Sequence, residues 1–367
     1  MYGQQGGYGQ PQYGGGYQQQ QYQQGYAPQQ GYDAQQQQYG QQFQQPAQTQ
    51  MQTQQQPAVV DDKMAPIYVD TQHDDMVHDA QLDFYGTKLA TGSSDRTIKI
   101  YDITANSYTP TATLTGHTGP IYQLSWSHPK FSSSLASASF DGSVLIHRES
   151  RPGEWILVKG FVGLHESSVN SVEFAPMEYG LIAGAGSSDG RVSILTHEDS
   201  GEWTVEYLKD TALGVNAVGW GPYGMGEIDG EVKPLPMRIV TGGSDNGVKV
   251  WSKGDQGWES KVLEAEVSHK DWVRDVAFAP NVIPGRSVIA SCSEDKTVII
   301  WKQEEENDKW TSMVLHTFED PVWRVSWSVT GNILAVSSGD SNVTLWKETL
   351  DGSWSQVSQV EDVAGSD

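Results

Sequence analysis

Apolar residues recur in short alternating runs, with no helical spacing, across residues 76–360 of this 367-residue chain. One such pair is 135–138 and 144–147, separated by the dipeptide Asp141-Gly142. Alternation with a period of two predicts β-strands, and Asp-Gly between two such runs predicts a hairpin turn. The chain is therefore predicted to be an all-β protein.

The same hairpin occurs six times, with an aspartate in every turn. These structural turn aspartates lie 45–56 residues apart, and they are Asp95, Asp141, Asp189, Asp245, Asp295 and Asp340. Another apolar run precedes each hairpin, and in most units a turn followed by tryptophan comes after it. Six units of four short strands predict a six-bladed β-propeller over residues 76–360.

The N-terminal segment has a different composition. Residues 1–57 contain 26 Gln and 8 Tyr, no Val, Ile or Leu, and a single charge at Asp33. Such a segment cannot bury enough apolar surface to offset the entropy lost on ordering. We therefore predict a disordered low-complexity arm, either a solvated tail or a weakly self-associating segment, then a linker at 58–75. Residues 361–367 are predicted to be a flexible acidic tail.

The charge of the chain excludes several classes of function. There are 23 Lys and Arg against 46 Asp and Glu, so the formal net charge is −23, and Cys292 is the single cysteine. A strongly acidic chain repels phosphate backbones and anionic lipids, so no direct nucleic-acid binding is predicted. No uncharged apolar stretch approaches the ~18 residues of a membrane span. Membrane association is predicted to be indirect, through partners.

Two motifs resemble enzyme signatures but lie in the wrong structural context. Ser188 falls in a G-x-S-x-G match, yet the nucleophile elbow needs a strand-turn-helix, and this segment is a predicted hairpin. The Gly219-x-Gly221-x-x-Gly224 match is followed by no predicted helix, which a dinucleotide site requires. The histidines show no metal-ligand spacing. We predict no catalytic residue, cofactor or metal, and no enzyme activity.

The pair Gly116-His117, followed 24 residues later by Asp141, and the strand end Tyr101-Asp102 resemble the WD-repeat family. In that family a histidine, a Ser or Thr on the second strand, the turn aspartate and a tryptophan form a buried hydrogen-bonded relay. The resemblance implies a WD-repeat propeller in which the relay histidines are His78, His117, His165 and His269. The fourth and sixth units contain no matching histidine.

The way in which the ring closes determines what the propeller can bind. The last unit has its own outer strand at 354–357, so the N-terminus is not needed as a latch. We therefore predict an open ring whose first and last blades together accept a β-blade from a partner. The side chains predicted to line that opening are Ile98, Ile100, Val325, Trp327 and Leu345.

Several strings outside the generic repeat are similar to the family of small propeller subunits of the COPII vesicle coat. They are 78–86, 116–120, 126–131, 271–276 and 331–335, and the likeness extends over about 76–358. The resemblance implies a scaffold completed in trans by the large outer-coat subunit or by a scaffold nucleoporin of the Y-shaped nuclear pore complex. It implies a cytoplasmic protein that is peripheral on endoplasmic reticulum membranes and vesicles, and also present at the nuclear pore.

Three alternatives remain open from the residues alone. One is a sister nucleoporin propeller, which also takes a blade in trans but functions only at the pore. Another is a WD-repeat adaptor that recognises peptides on one face of the ring, and the third is a propeller enzyme. Identification of the most abundant partner that co-purifies from native extract would separate these alternatives.

Removal of residues 1–57 should leave the melting temperature unchanged, because the arm has no Val, Ile or Leu to contribute to a core. Limited proteolysis followed by thermal melting of the resistant fragment measures this. A fall of several degrees in the truncated chain would show that the arm packs on the propeller.

Overall fold

The computed structural model describes residues 68–228, 231–280, 286–305 and 309–360. The predicted arm, the linker up to residue 67 and the acidic tail lie outside these residues. Regular structure in the described part is β-strand, apart from short 3₁₀ turns at Pro129–Phe131 and Met177–Tyr179. The predicted all-β class is confirmed.

Twenty-four strands form six antiparallel four-stranded sheets, and each sheet is one blade. Blade 1 contains β1 (Val77–Leu82), β2 (Lys88–Ser93), β3 (Ile98–Thr104) and β4 (Ser107–Leu114); blade 2 contains β5 (Ile121–Trp126), β6 (Ser134–Ser139), β7 (Val144–Arg151) and β8 (Glu154–Phe161); blade 3 contains β9 (Val169–Phe174), β10 (Ile182–Ser187), β11 (Arg191–His197) and β12 (Trp203–Lys209).

Blades 4 to 6 repeat this order, with one insertion in blade 4. Blade 4 contains β13 (Val215–Trp220), β16 (Arg238–Gly243), β17 (Val248–Gly254) and β18 (Gly257–Val262), with the hairpin β14 (Met225–Ile228) and β15 (Glu231–Pro234) inserted; blade 5 contains β19 (Val273–Phe278), β20 (Ser287–Ser293), β21 (Thr297–Gln303) and β22 (Thr311–Thr317); blade 6 contains β23 (Val322–Trp327), β24 (Ile333–Ser338), β25 (Val343–Glu348) and β26 (Trp354–Val360).

Every blade is a meander in which successive strands of the blade pair with each other, and in blade 4 the hairpin β14–β15 is inserted between two such strands. The first strand of each blade packs against the first strand of the next, so β1, β5, β9, β13, β19 and β23 surround the axis. The six-bladed propeller predicted from the repeat is therefore confirmed. The last blade closes from within through β26, as predicted, and no N-terminal strand joins it in the described part of the chain.

Apolar clusters hold consecutive blades together. Five clusters of buried residues each span two neighbouring blades, in the pairs 1–2, 2–3, 3–4, 4–5 and 5–6. In the cluster of blades 1 and 2, for example, Ile98 and Ile100 of β3 pack with Ile121 and Leu124 of β5. Both faces of an inner blade are therefore covered, which explains why its central strands are apolar on successive residues.

The predicted relay is present: blade 5 shows it most fully, with the indole of Trp301 donating to Ser291 at 2.8 Å, and blade 2 shows it without the tryptophan. His117 Nδ1 lies 3.1 Å from the carboxylate of Asp141, and its Nε2 lies 2.8 Å from the hydroxyl of Ser137 on β6. Burial would raise the pKa of the Asp141 carboxyl, but hydrogen bonds from His117 and Ser143 outweigh it and hold that pKa well below its usual range. The relay ties the loop before β5 to the turn between β6 and β7.

The prediction for blade 1 was wrong about the histidine. His73, not His78, contacts the turn aspartate Asp95, with 2.7 Å between Nδ1 and Oδ2, and its Nε2 lies 2.8 Å from Thr91. His78 instead contacts the hydroxyl of Ser94. The relay needs its histidine on the loop ahead of the innermost strand, and His78 already lies within β1.

Blade 4 replaces the missing histidine with a charged pair. Asp210 accepts hydrogen bonds from Thr241 (2.5 Å) and from the indole of Trp251 (3.3 Å), and it forms an ion pair with Lys249. Lys249 also pairs with the turn aspartate Asp245 at 2.9 Å. The same loop and turn are therefore joined by different chemistry, as expected from the absence of a matching histidine.

Replacement of Asp141 by Asn should destabilise the propeller by about 1–3 kcal/mol at pH 7, because a charged acceptor of buried hydrogen bonds is lost. A carboxylate with a depressed pKa adds stability above pH about 4 and loses it as the pH falls. The cost should therefore shrink at pH 3. Thermal melting at both values measures this, with the exposed Asp340→Asn as control, since Asp340 lacks a histidine partner. Equal costs for both variants would contradict this role of the relay.

Candidate functional site

The junction between blade 6 and blade 1, called the seam below, differs from the other five. No apolar cluster joins these two blades among the described residues, whereas each other junction has one. The innermost strands β23 and β1 do not pack on each other to an extent comparable with the other consecutive pairs. The ring is therefore open along one radius.

Hydrogen bonds between innermost strands follow a repeated rule at the closed junctions. The third residue of one strand accepts a bond, through its side chain, from the backbone N–H of the fourth residue of the next strand. The bonds run from Leu124 to Asp79, from Val172 to Gln123, from Val218 to Ser171 and from Val325 to Asp275, at 2.8–3.0 Å. Ala217 of blade 4 has no such acceptor, and the side chain of Asn216 bonds to Val273 of blade 5 instead.

Aromatic residues at the sixth position of the innermost strand make a second contact with the preceding blade. The indoles of Trp126, Trp220 and Trp327 donate to backbone carbonyls of blades 1, 3 and 5, at 2.9–3.1 Å. Blades 3 and 5 carry the buried rings of Phe174 and Phe278 at this position. Each inner strand is thus fastened to the blade before it.

Neither contact can form at the seam. The third residue of β23 is Arg324, whose guanidinium only donates hydrogen bonds, so it cannot accept one from blade 1. The sixth residue of β1 is Leu82, which has no indole and is 56% exposed. Two substitutions in the repeated pattern therefore leave the seam without the bonds that fasten the other junctions.

Arg324 makes other interactions near the axis. Its guanidinium donates to the backbone carbonyl of Tyr122 in blade 2 at 3.4 Å. Desolvation lowers the pKa of Arg324, but the carboxylates of Asp275 and Asp79 outweigh it, so the pKa is raised. Burial in turn raises the pKa of Asp275 to about 6, against the opposing charge of Arg324. Arg324 thus neutralises carboxylates of blades 5 and 1 from the open edge of blade 6.

The predicted seam residues of blade 1 were wrong. Ile98 and Ile100 are 1% and 0% exposed and pack in the cluster shared with blade 2. Side chains alternate between the two faces of a strand, so Lys99 and Tyr101, and not the two isoleucines, face the seam. The hydroxyl of Tyr101 donates to the carbonyl of Thr71, and Lys99 bonds to Gln72, so a segment assigned to the linker covers part of this face.

Two of the three predicted seam residues of blade 6 were also wrong. Val325 lies in the cluster shared with blade 5, and Trp327 packs against the same cluster. Leu345 lies on the opposite face of β25, because its neighbours Thr344 and Trp346 are buried and Trp346 belongs to the blade 5 cluster. Leu345 is therefore the one residue of the five on the seam face.

The same alternation identifies seam-facing residues that the sequence analysis missed. On blade 6 they are Ile333, Ala335 and Val343, all partly exposed, in strands where the intervening residues pack on blade 5. On blade 1 they are Leu82 and Leu89. The sequence signal that could have identified them is alternation counted from the tryptophan of the third strand. Trp346 packs on the preceding blade, so its immediate neighbours along β25 face the seam.

The motifs that resembled enzyme signatures lie in a repeated turn and next to the inserted hairpin of blade 4. Ser188 is in the turn between β10 and β11 and bonds to Asn170 and Ser168. Gly221 and Gly224 lead into the strand β14, with no helix. No group of His, Cys, Asp or Glu among the described residues has the arrangement of a metal site. None of the helices in the described part of the chain is long and apolar enough to cross a membrane.

A cavity of about 850 Å³ lies at the axis, lined by residues of all six blades, including Arg324, Asp275 and Glu173. Burial raises the pKa of Glu173 to about 7, although its carboxylate accepts the backbone N–H of Trp220 at 2.7 Å. The carboxylates of Glu173 and Asp275 each accept a backbone N–H of the next blade. The cavity therefore belongs to the contacts that hold the ring together.

Comparison with known proteins agrees with this architecture. The chain matches the family model described as WD domain, G-beta repeat, over residues 64–102, 108–148, 261–302 and 312–347. It is 46% identical over 297 residues to the Protein SEC13 homolog of Drosophila melanogaster, covering 79% of this chain and 82% of that protein. It is 42% identical over 348 residues to Protein transport protein SEC13 of Mycosarcoma maydis, covering 81% and 95%. Protein transport protein SEC13 of Yarrowia lipolytica is 46% identical over 304 residues, covering 81% and 100%.

Replacement of Arg324 by Gln should destabilise the propeller by about 3 kcal/mol at pH 8, because carboxylates near the axis lose their counter-charge. Loss of the cation raises the pKa of Asp275 further above its unfolded value. Such a group binds its proton more tightly when folded, so stability falls as pH rises through that interval. The loss in melting temperature should be larger at pH 8 than at pH 5, and Arg324→Lys should recover much of it. A loss independent of pH would contradict this account.

Proposed function

The chain belongs to the SEC13 family of WD-repeat proteins, and from this premise we propose that it is the small propeller subunit of the COPII vesicle coat, in transport from the endoplasmic reticulum to the Golgi. We propose the same scaffold role for it in the Y-shaped complex of the nuclear pore. In both assemblies the seam receives a β-blade of a large partner: the large outer-coat subunit on vesicles and a scaffold nucleoporin at the pore.

The observation that carries this proposal is the open seam, with five apolar clusters for six blades. The seam presents apolar side chains from both sides, Leu82 and Leu89 on blade 1 and Ile333, Val343 and Leu345 on blade 6. A blade between them would be covered on both faces, like the blades inside the ring. Interfaces of that kind are large and apolar, and they are typical of obligate complexes.

The repeated bonding rule specifies further what the inserted blade should carry. In blade 1 the N–H equivalent to that of Leu124 or Val325 belongs to Ala80. The innermost strand of the partner's blade should therefore present Asp, Asn, Gln or Ser at its third position as an acceptor for Ala80. The backbone N–H of the fourth residue in that partner strand would face Arg324 of blade 6. Arg324 has no acceptor atom, so the hydrogen bond between the partner blade and blade 6 is absent.

A scaffold role requires no catalytic residue, and we propose that the protein is not an enzyme. It reaches the endoplasmic reticulum membrane and the vesicle surface through its coat partners, because its own net charge of −23 opposes binding to anionic lipid. The same charge opposes direct binding to nucleic acid.

Replacement of Leu345 by Asp should abolish capture of the partner blade, because a carboxylate would be desolvated against an apolar face. We expect a loss of about 3 kcal/mol in association, which corresponds to a weakening of roughly a hundredfold or more. Leu345 is partly exposed in the free chain, so the melting temperature of the propeller alone should change little. Co-elution with the co-expressed large coat subunit measures association, and thermal melting measures the fold.

The matched control is Val314→Asp, which places the same charge on a partly exposed position of the outer strand of blade 5, away from the seam. It should leave both measurements unchanged. Retention of the complex by Leu345→Asp, with an intact fold, would show that the partner does not enter the seam.

A further inference from the structure

Two tryptophans differ from the rest in their exposure. Of the 13 tryptophans, eleven are buried or half-buried, and only Trp272 and Trp323 are exposed, at 45% and 44%. Both lie on the face of the ring that carries the turn aspartates, called the upper face here. Trp272 immediately precedes β19 in blade 5, and Trp323 is the second residue of β23 in blade 6.

An arginine holds the two exposed indoles together. The guanidinium carbon of Arg274 lies 5.1 Å from the ring centre of Trp272 and 5.2 Å from that of Trp323. Arg274 also forms an ion pair with Glu294 in the turn of blade 5. The stack crosses the junction of blades 5 and 6, so two rigid elements fix it. Preorganised tryptophan and arginine are the residues that most often dominate binding energy at interfaces.

A carboxylate accompanies each exposed indole. Asp320 and the indole nitrogen of Trp323 both lie next to Gly339, where an added Cβ would be 3.2 Å from the Asp320 Cβ and 3.4 Å from that nitrogen. Asp271 precedes Trp272 and accepts its backbone N–H at 2.8 Å. Among the ion pairs of the described part of the chain, none includes Asp271 or Asp320. Each site thus combines an exposed indole, one that also contacts Arg274, with a carboxylate that is outside those ion pairs.

We propose that the Trp272–Arg274–Trp323 stack, with Asp271 and Asp320, is a docking surface for a basic peptide segment of a partner protein. Lysine or arginine side chains of that segment lie across the open indole faces and pair with the two carboxylates. A cation on an indole is attracted by the ring, and more strongly when it is partly desolvated. The net charge of −23 attracts a basic segment over longer range and makes its association dependent on salt.

This surface is distinct from the seam in position and in chemistry. It lies on the junction of blades 5 and 6, which is closed by an apolar cluster, and it faces the upper side of the ring. The seam accepts apolar blade faces, whereas the stack offers aromatic rings and carboxylates. The two sites can therefore be disabled separately, and the inference does not depend on the proposed role in vesicle coats or nuclear pores.

The test uses the full chain and fluorescein-labelled peptides of about twelve residues in which Ser alternates with Arg, Gln or Glu. Fluorescence anisotropy at low and physiological salt measures binding. We expect the Arg peptide to bind, to weaken with salt, and to lose affinity about tenfold or more in Trp272→Ala and in the double variant Asp271→Asn, Asp320→Asn. The Gln and Glu peptides should not bind.

Matched controls on the same face are Leu213→Ala, an exposed apolar residue, and Asp74→Asn, an exposed carboxylate. Both should bind the Arg peptide as the unaltered chain does, and so should Leu345→Asp. Thermal melting confirms that each variant is folded. Equal binding of the Gln peptide, an equal loss in Asp74→Asn, or no binding of the Arg peptide would overturn the proposal. Self-association that Trp272→Ala abolishes would also overturn it, in favour of contact between copies.

Discussion

A blade of this propeller has two apolar faces, and each face must be covered by another blade. That requirement determines the architecture, because a four-stranded sheet with both faces exposed would leave large apolar areas in water. Six blades placed in sequence cover ten of their twelve faces through five clusters. The two remaining faces belong to the first and last blades and form the seam. The partner-binding site that we propose is thus formed by the two blade faces that the packing of the ring leaves uncovered.

Hydrogen bonds at the axis give the packing its register. Apolar faces alone are not directional, whereas the bond from a backbone N–H to the side chain of the preceding blade fixes one strand against the next. The rule explains why carboxylates such as Asp79 and Asp275 are tolerated near the axis: they accept bonds and share the charge of Arg324. Arg324 replaces an acceptor in the one blade that has no following neighbour. The open edge of blade 6 therefore differs from most of the closed junctions at a repeated position, where an arginine stands in place of an acceptor.

The seam and the upper-face stack show how one scaffold can present two kinds of surface. At the seam, the proposed partner blade would be recognised by shape and apolar area, with few polar groups to satisfy. At the stack, Arg274 and Glu294 hold Trp272 and Trp323 as an exposed aromatic pair, and the nearby carboxylates set the sign of the charge that fits. The relay, by contrast, joins loops and turns within blades, and its variation in blade 4 shows that different polar groups can serve that purpose.

The sequence by itself determined the four strands of each blade, the six turns with aspartate and the internal closure of the last blade, but not the inserted hairpin of blade 4. These features are local: alternation reports strands, turn chemistry reports hairpins, and both are contained within one repeat. Only the tertiary structure decided which face of β3 meets blade 2, that His73 takes the place assigned to His78, and that Arg324 meets carboxylates of blades 5 and 1. It alone placed both Trp272 and Trp323 next to Arg274. The reason is that these contacts join residues of different strands or blades, as His73 and Asp95 do 22 positions apart, or depend on the direction in which the ring turns. An alternating pattern distinguishes the two faces of a strand without showing which neighbour each face will meet.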